Sequence, residues 1–464
     1  MLFSELQFFV FFAGYFAVHL ILPAKYRIYL IIAGGAVFYG WWRADYLWVP
    51  VLLSVLAFGG VSWIESAEEA AARSRRQAVV IACILAPLLL VKYSYFVVTN
   101  VSVALGAENA AKQYARLKVG LPLGISFITF SAIAYVVDVY RKRFPAERQF
   151  TVLLAYIMFF PHLIAGPILR PHELIPQIKQ LRTALGARFI TGIGIFTLGL
   201  FKKLVIADQL APVVDPVFNT GAASSGFAYL LAIYGFSAQI YCDFSGYTDM
   251  AIGLAYMLRI RLPTNFLRPY RATSILDFWR RWHITLSHWL RDYLYIPLGG
   301  NRARAPRQSI NLLVTMAIGG LWHGANWTFL IWGLLHGVAL TLNHRLRSLF
   351  RWMPRGIATF ATFQFVTFAW IFFRAPDLST AIKVLQGPFV SGGANIEDFV
   401  HANTFTIMIL SLFFLTHRFD RHALIRRALQ CVPWAVAIPA MAFIWIIAFT
   451  LSQGNSAKFI YFDF

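Results

Sequence analysis

The chain alternates between long uncharged runs and short basic ones, and the length of the uncharged runs decides what it can be. A helix needs about 20 mostly apolar residues to cross the hydrocarbon core of a bilayer. Residues 6–24, 28–42 and 46–64 form three closely spaced apolar runs, and 77–91 continues through Lys92 to Val98 as a fourth. Runs at 119–137, 149–169, 189–207, 216–242, 308–343, 356–373, 399–416 and 428–457 bring the expected number of spans to about eleven. The uncharged stretch from Gln308 to Asn343 is too long for one span, and Gly319 and Gly320 mark where it is expected to break. Backbone groups freed by a break find no partners in lipid, so the break predicts a place inside the protein or beside a watery cavity, and hence a site. No internal repeat, low-complexity tract or Pro/Gly/Ser-rich linker divides the sequence, so residues 1–464 are expected to form one all-α, polytopic membrane domain.

The polar positions between the runs set the orientation. Arg73, Arg75 and Arg76, then Arg141, Lys142, Arg143 and Arg148, then Arg418, Arg421, Arg426 and Arg427 make three short basic loops, which belong in the cytoplasm. Alternation from there puts the N-terminus outside and the Lys25–Arg27 loop inside. The segment from Arg259 to Arg307 differs from all others: it has ten Arg, no Lys, two acids (Asp277 and Asp292) and many aromatics. Residues 273–293 are expected to form one or two amphipathic helices lying at the cytoplasmic surface or dipping into it.

Composition strengthens the picture. Apolar residues are 59% of the chain and charged residues 13%, against about 45–50% and about 25% in soluble domains. A net charge of +21 raises the question of nucleic acid, but the basic residues are spread between apolar runs and form no single solvated face or tail. Cys83, Cys242 and Cys431 are scattered, with no CxxC pair and no His at zinc-ligand spacing, so they read as reduced packing residues and no metal site is expected. The start, MLFSELQFFVFF, lacks the basic stretch of a cleaved signal peptide and reads as the first membrane helix.

His323, in GGLWHGANWTF, has no Asp, Glu, Lys or Arg for 15 residues before it or 21 after. A titratable group at membrane depth marks a functional site by default, the plainer reading being a core histidine bonded to a backbone carbonyl. Low-dielectric surroundings favour the neutral imidazole, which is the form a general base needs. Asn326 and Trp327 follow at three and four positions and share its face if the helix continues. His283, in FWRRWHITLSHW, sits beside Arg281 and Trp282, with Ser287 one turn on. His288 points elsewhere on an ideal helix and has Asp292 four residues on as a partner. His336 lies about 20 Å from His323 along a continuous helix, so the two cannot share a reacting atom if that helix is unbroken. His162, between prolines and a glycine, either lines an entrance or is a core histidine. Arg280, Arg281 and Arg291 are nearest the histidines; lipid headgroups and the phosphates of a nucleotide-bearing donor account for them equally well. The chain has no GxSxG, Walker A or HExxH motif, and Asp243 and Asp249 point too far apart on one helix to share a proton or a metal.

Five strings carry a resemblance: LPLGISFITFSAIAYVVDVYR (121–141), FFPHLIAGPILR (159–170), YCDFSGYTDMAIGLA (241–255), NFLRPYRATSILDFWRRWHITLSHWLRDYLYIPLGGNR (265–302) and GGLWHGANWTFLIWGLLHG (319–337). With the KFIYFDF ending, they resemble the membrane-bound O-acyltransferases over essentially the whole chain. The specific likeness is to the branch that acetylates alginate, cellulose and peptidoglycan. The resemblance implies a helical membrane fold around a funnel or tunnel, in the bacterial inner membrane, with acetyl-CoA as donor. It implies that His323 is the essential histidine and takes a proton from a hydroxyl, while His283 orients the donor or polarises its carbonyl. Arg280, Arg281, Trp282, Arg291, Asn326 and Trp327 would line the donor site. It further implies an extracytoplasmic polysaccharide as acceptor, reached directly or through a periplasmic SGNH-hydrolase-like partner. The rival readings are a transporter or channel for an anion or glycan carrier, which lacks the inverted repeat it would need, and a noncatalytic scaffold.

Overall fold

The computed structural model describes residues 1–107, 120–181, 187–302, 304–346, 352–389, 396–452 and 459–460. The start of the 119–137 run, the end of the 428–457 run and all of KFIYFDF except Phe459 and Ile460 lie outside them. The described residues contain helices and no strand. Five helical stretches are long and apolar enough to cross a membrane: 44–65, 70–104, 188–220, 355–374 and 434–452. A sixth candidate is the pair 396–402 and 404–419, bent by 76°. Two shorter apolar helices, Leu6–Ile21 and Ile125–Tyr140, accompany them. Several of the expected runs are therefore shorter or interrupted, which sequence length alone did not reveal.

The chain forms two compact units. The first holds residues 1–189 and 254–263. Its helices are α1 (Leu6–Ile21), α2 (Arg27–Gly40), α3 (Trp48–Glu65), α4 (Ala70–Ala104), α5 (Ile125–Tyr140), α6 (Phe150–Met158), α7 (Phe160–Leu163) and α8 (Pro171–Lys179). Every residue of α5 from Ile125 to Val139 is buried, the polar Ser126, Thr129, Ser131 and Asp138 included. Phe8, Phe38 and Phe160 pack ring to ring at 5.5–6.3 Å, tying α1, α2 and α7 together. The expected 149–169 run is broken: α6 stops at Met158, and Pro161 and Pro167 limit helix beyond it to a single turn. His162 lies in that turn, fully buried, with Nε2 2.8 Å from the Tyr156 carbonyl oxygen, so it is a satisfied core histidine and lines no entrance.

The second unit holds residues 190–253 and 264–464. Its helices are α9 (Ala187–Phe201), α10 (Asp208–Thr220), α11 (Gly226–Met257), α12 (Ile275–Trp279), α13 (Ile284–Leu290), α14 (Ala305–His323), α15 (Trp327–Arg345), α16 (Arg355–Arg374), α17 (Leu378–Gln386), α18 (Ile396–Ala402), α19 (Thr404–Thr416), α20 (His422–Cys431) and α21 (Trp434–Ser452). α9 and α10 run on from one another through a π-helical turn at Lys202–Ala207, and the pair ends at Gly221, whose φ of +67° closes the helix. The expected 216–242 span is thus displaced, and α11 begins only at Gly226. α12 and α13 bury Phe278, Trp279, Leu286 and Trp289 within this unit and expose Leu276, Arg280 and His288, so each is two-faced as expected of amphipathic helices.

The long uncharged run does break, but not at its double glycine. α14 continues through Gly319 and Gly320 to His323, and the turn is Gly324–Ala325–Asn326. Gly320 is used for packing: a Cβ there would strike the Phe329 carbonyl oxygen and come within 3.1 Å of Gly333 Cα. The two glycines let α14 and α15 lie backbone to backbone as an antiparallel hairpin. The turn is closed by Asn326, whose Oδ1 accepts from the Thr328 N–H at 3.2 Å as the N-cap of α15.

Candidate active site

Because the helix stops at His323, the face-sharing expected of Asn326 and Trp327 does not arise. Asn326 is occupied as a cap and also donates through Nδ2 to the Pro376 carbonyl at 2.6 Å, and Trp327 is half exposed. The hairpin instead folds Trp332 and His336 back toward His323. The His323 ring, 3% exposed, meets Trp332 edge-on at 5.2 Å, Trp322 at 4.9 Å and Phe373 of α16 at 5.1 Å. His336 packs on the same Trp332 at 4.9 Å, and its Nδ1 accepts from Trp279 Nε1–H at 3.2 Å. Two histidines that a straight helix would hold far apart therefore flank one indole.

His283 reaches the same place from the arginine-rich segment. Its ring, fully buried, lies 6.1 Å from Trp322 and 4.8 Å from Phe244 of α11. Trp322 thus packs against both His283 and His323, and the two histidines singled out in the sequence share one aromatic wall. The backbone that presents His283 is strained. His283 (φ +42°) and Arg268 (φ +49°) both occupy the left-handed region, a conformation costing about 1–3 kcal/mol for a non-glycine residue. Two backbone hydrogen bonds hold it: Leu267 N–H to Arg281 O at 2.8 Å and Ile284 N–H to Asn265 O at 2.9 Å.

Asn265 fixes the tautomer of His283. Its Oδ1 accepts from the Thr285 backbone N–H at 3.2 Å and from the Thr285 hydroxyl at 2.9 Å, and a backbone N–H can only donate. The same oxygen lies 3.2 Å from His283 Nδ1, so Nδ1 carries the proton and Nε2 is an acceptor in the neutral ring. Burial pushes the His283 pKa down to about 3, which keeps the ring neutral. Removing the acceptor leaves two Thr285 donors and His283 Nδ1 without it. Asn265→Leu is expected to lower turnover by about 10- to 100-fold through mis-set geometry. Asn265→Asp, which still accepts, is expected to keep a larger share; equal rates for the two variants in a thioester-consumption assay would reduce Asn265 to a filler of space.

The other sequence-derived candidates do not converge on the histidines. Arg281 donates to Asp277 at 2.8 Å, Arg291 is held by Asp292 at 2.6 and 3.0 Å, and Arg280 is exposed. Trp282 is 1% exposed, with Trp370 at 4.8 Å and Phe266 at 5.0 Å, so it builds the wall behind the site. Among the described residues no group of three or more His, Cys, Asp or Glu is placed to hold a metal.

Sequence reading missed a buried ion network in the same unit. Lys202 Nζ reaches Asp249 Oδ2 at 2.7 Å and Asp420 Oδ2 at 2.5 Å, His422 Nε2 lies 2.7 Å from Asp249 Oδ1, and the Tyr241 hydroxyl donates to Asp420. Lys203 Nζ reaches Asp208 at 2.8 Å and Asp243 at 2.7 Å, and Asp243 also accepts from the Ile460 N–H at 2.8 Å. The signal was two adjacent lysines inside an otherwise apolar run. Asp243 and Asp249 serve separate lysines, in keeping with their directions on one helix.

The sequence is similar to those of known proteins. The model of the MBOAT, membrane-bound O-acyltransferase family matches residues 141–376. The chain is 39% identical to a probable alginate O-acetylase of Azotobacter vinelandii over 88% of this chain and 82% of that one. It is 38% identical to a peptidoglycan O-acetyltransferase of Helicobacter pylori, over 83% and 78%. A teichoic acid D-alanyltransferase of Bacillus subtilis is more distant, 29% identical over 54% and 68%. On the extent of these matches the chain belongs to the membrane-bound O-acyltransferase family and is an O-acyltransferase of the multi-pass membrane type.

Proposed function

We propose that the protein takes an acetyl group from acetyl-CoA on the cytoplasmic side of a bacterial inner membrane and passes it to a hydroxyl for O-acetylation of an extracytoplasmic polysaccharide. The acceptor is the glycan itself or a periplasmic SGNH-like partner that completes the transfer, and the helices cross the membrane about eleven times around a funnel. The observation that carries the reading is the pairing of His323 and His283 on Trp322, in a chain whose relatives include alginate and peptidoglycan O-acetyltransferases.

In this mechanism His323 accepts the proton of the acceptor hydroxyl as its oxygen attacks the thioester carbonyl carbon. The C–O bond forms, the carbonyl oxygen becomes an oxyanion, and the tetrahedral species collapses with loss of the C–S bond. The proton held by His323 then goes to the departing thiolate, so the ring ends neutral. His283, neutral and with Nδ1 already donating to Asn265, offers Nε2 as an acceptor and lacks the N–H that polarising a carbonyl requires. Its part is to orient a donor or acceptor group bearing a hydrogen. The packed rings around both histidines exclude water that would hydrolyse the thioester.

The test is acetyl-CoA consumption by the purified protein in lipid nanodiscs, with and without an oligosaccharide acceptor. Acceptor-dependent release of free CoA is expected. A transporter would leave the thioester intact, and that result would overturn the reading.

A further inference from the structure

His336 is a buried titratable group to which the mechanism above gives no part. Its Nδ1 accepts from Trp279 Nε1–H, which can only donate, so the proton of the neutral ring sits on Nε2. That Nε2–H, and the Nε1–H of Trp332 one turn earlier on α15, are both buried with no hydrogen-bond acceptor among the described residues. His336 is 0% exposed and Trp332 1%, with their rings 4.9 Å apart. Around them stand Phe278, Phe365, Trp370 and Phe373, none of which offers a side-chain acceptor.

A buried N–H left unpaired is costly, and packing alone does not call for it, since a phenyl ring fills such space without a donor. Two N–H donors side by side in a dry enclosure are suited to holding an oxygen on which negative charge develops. Their place fits that use, because Trp332 meets the ring of His323 edge-on at 5.2 Å. The reaction also lacks such a group so far: attack on the thioester puts charge on the carbonyl oxygen, and His283 presents only an acceptor to it.

We propose that Trp332 Nε1–H and His336 Nε2–H form the oxyanion hole of the transfer, donating to the thioester carbonyl oxygen. As the hydroxyl oxygen bonds to the carbonyl carbon, the carbonyl electron pair moves onto that oxygen and the two N–H groups tighten on it; neither gives up its proton. When the C=O bond re-forms, the C–S bond breaks and the thiolate takes the proton held by His323. A neutral imidazole is sufficient, because its N–H polarises a carbonyl without being charged. Trp279 is a positioning residue, since its donation fixes the tautomer of His336. The proposal rests on the acyl-transfer reading above, with His323 as base.

The full chain in lipid nanodiscs, supplied with acetyl-CoA and an alginate oligosaccharide, gives kcat and KM from the release of free CoA. Trp332→Phe and His336→Leu each remove one donor and are expected to lower kcat by about 10²- to 10³-fold, with the KM for acetyl-CoA kept. His336→Gln, which can accept from Trp279 and still donate, is expected to restore much of the rate. A second measurement is independent of the folded fraction. In acetyl-dithio-CoA a sulfur, a weak hydrogen-bond acceptor, replaces the carbonyl oxygen; the preference for oxygen over sulfur is expected to fall by about 10-fold or more in each donor-less variant relative to wild type. Equal losses on both substrates, or wild-type kcat in both variants, would overturn the oxyanion hole and leave the acyl-transfer reading standing. If the wild type consumes neither thioester, both fall.

Discussion

His323→Ala lowers acetyl transfer by about 10²- to 10⁴-fold, the usual worth of a positioned general base. The variant is expected to insert and fold, because the hairpin beside it is held by other groups: the Gly320–Gly333 approach, the Asn326 cap and the packing of Trp332 on Trp370 at 5.8 Å. The loss should appear in kcat, with the KM for acetyl-CoA kept. Wild-type turnover in a folded His323→Ala protein, measured by release of free CoA, would remove the general-base assignment and favour the noncatalytic scaffold. His283→Ala tests the partner role in the same assay; a shared reacting centre predicts that it combines with His323→Ala non-additively.

The largest stability effect is expected from Lys202→Met. Lys202 is 5% exposed and lies between the carboxylates of Asp249 and Asp420. Removing a single partner from a buried ion network leaves uncompensated charge and costs about 3–5 kcal/mol, far more than the net worth of the intact network. Asp420 would retain the Tyr241 hydroxyl as a donor, and Asp249 would retain His422. Thermal unfolding in detergent should show a marked drop in midpoint, partly restored by adding Asp249→Asn, which removes the charge left behind. An unchanged midpoint for Lys202→Met would mean that water reaches this network freely. Lys203 forms a separate pair with Asp208 and Asp243, so its replacement should add independently to that of Lys202 to the extent that the two do not share a partner.

Much of the site was legible without coordinates. His323 stands out because a titratable group in a long uncharged run is costly in lipid, and His283 because it sits in a segment dense in arginine and tryptophan; both pack on Trp322. The position of the helix break was not legible. Gly319 and Gly320 look like a break in a string of letters, but glycine serves equally to let two helices approach, and only the partner helix shows which use applies. Asn326 reads as a pocket residue by its spacing from His323 and is a cap, because the helix ended three residues earlier. His336 could not be joined to His323 until the hairpin brought both to Trp332.

The sequence by itself determined the class: its apolar excess and the lengths of its uncharged runs leave no route to a water-soluble fold, since burial of that much apolar surface needs lipid. It also singled out His323 as a titratable group far from any charge in sequence, though not the buried lysines Lys202 and Lys203. Only the tertiary structure decided what those groups meet. The tautomer of His283, the pairing of Lys202 and Lys203 with acids up to 218 residues away, and the meeting of Arg268 with Arg418 depend on contacts between distant segments. Local periodicity records which face of a helix is apolar, but the partner that faces it is chosen by packing, where close backbone approach and satisfied buried polar groups select one arrangement among many.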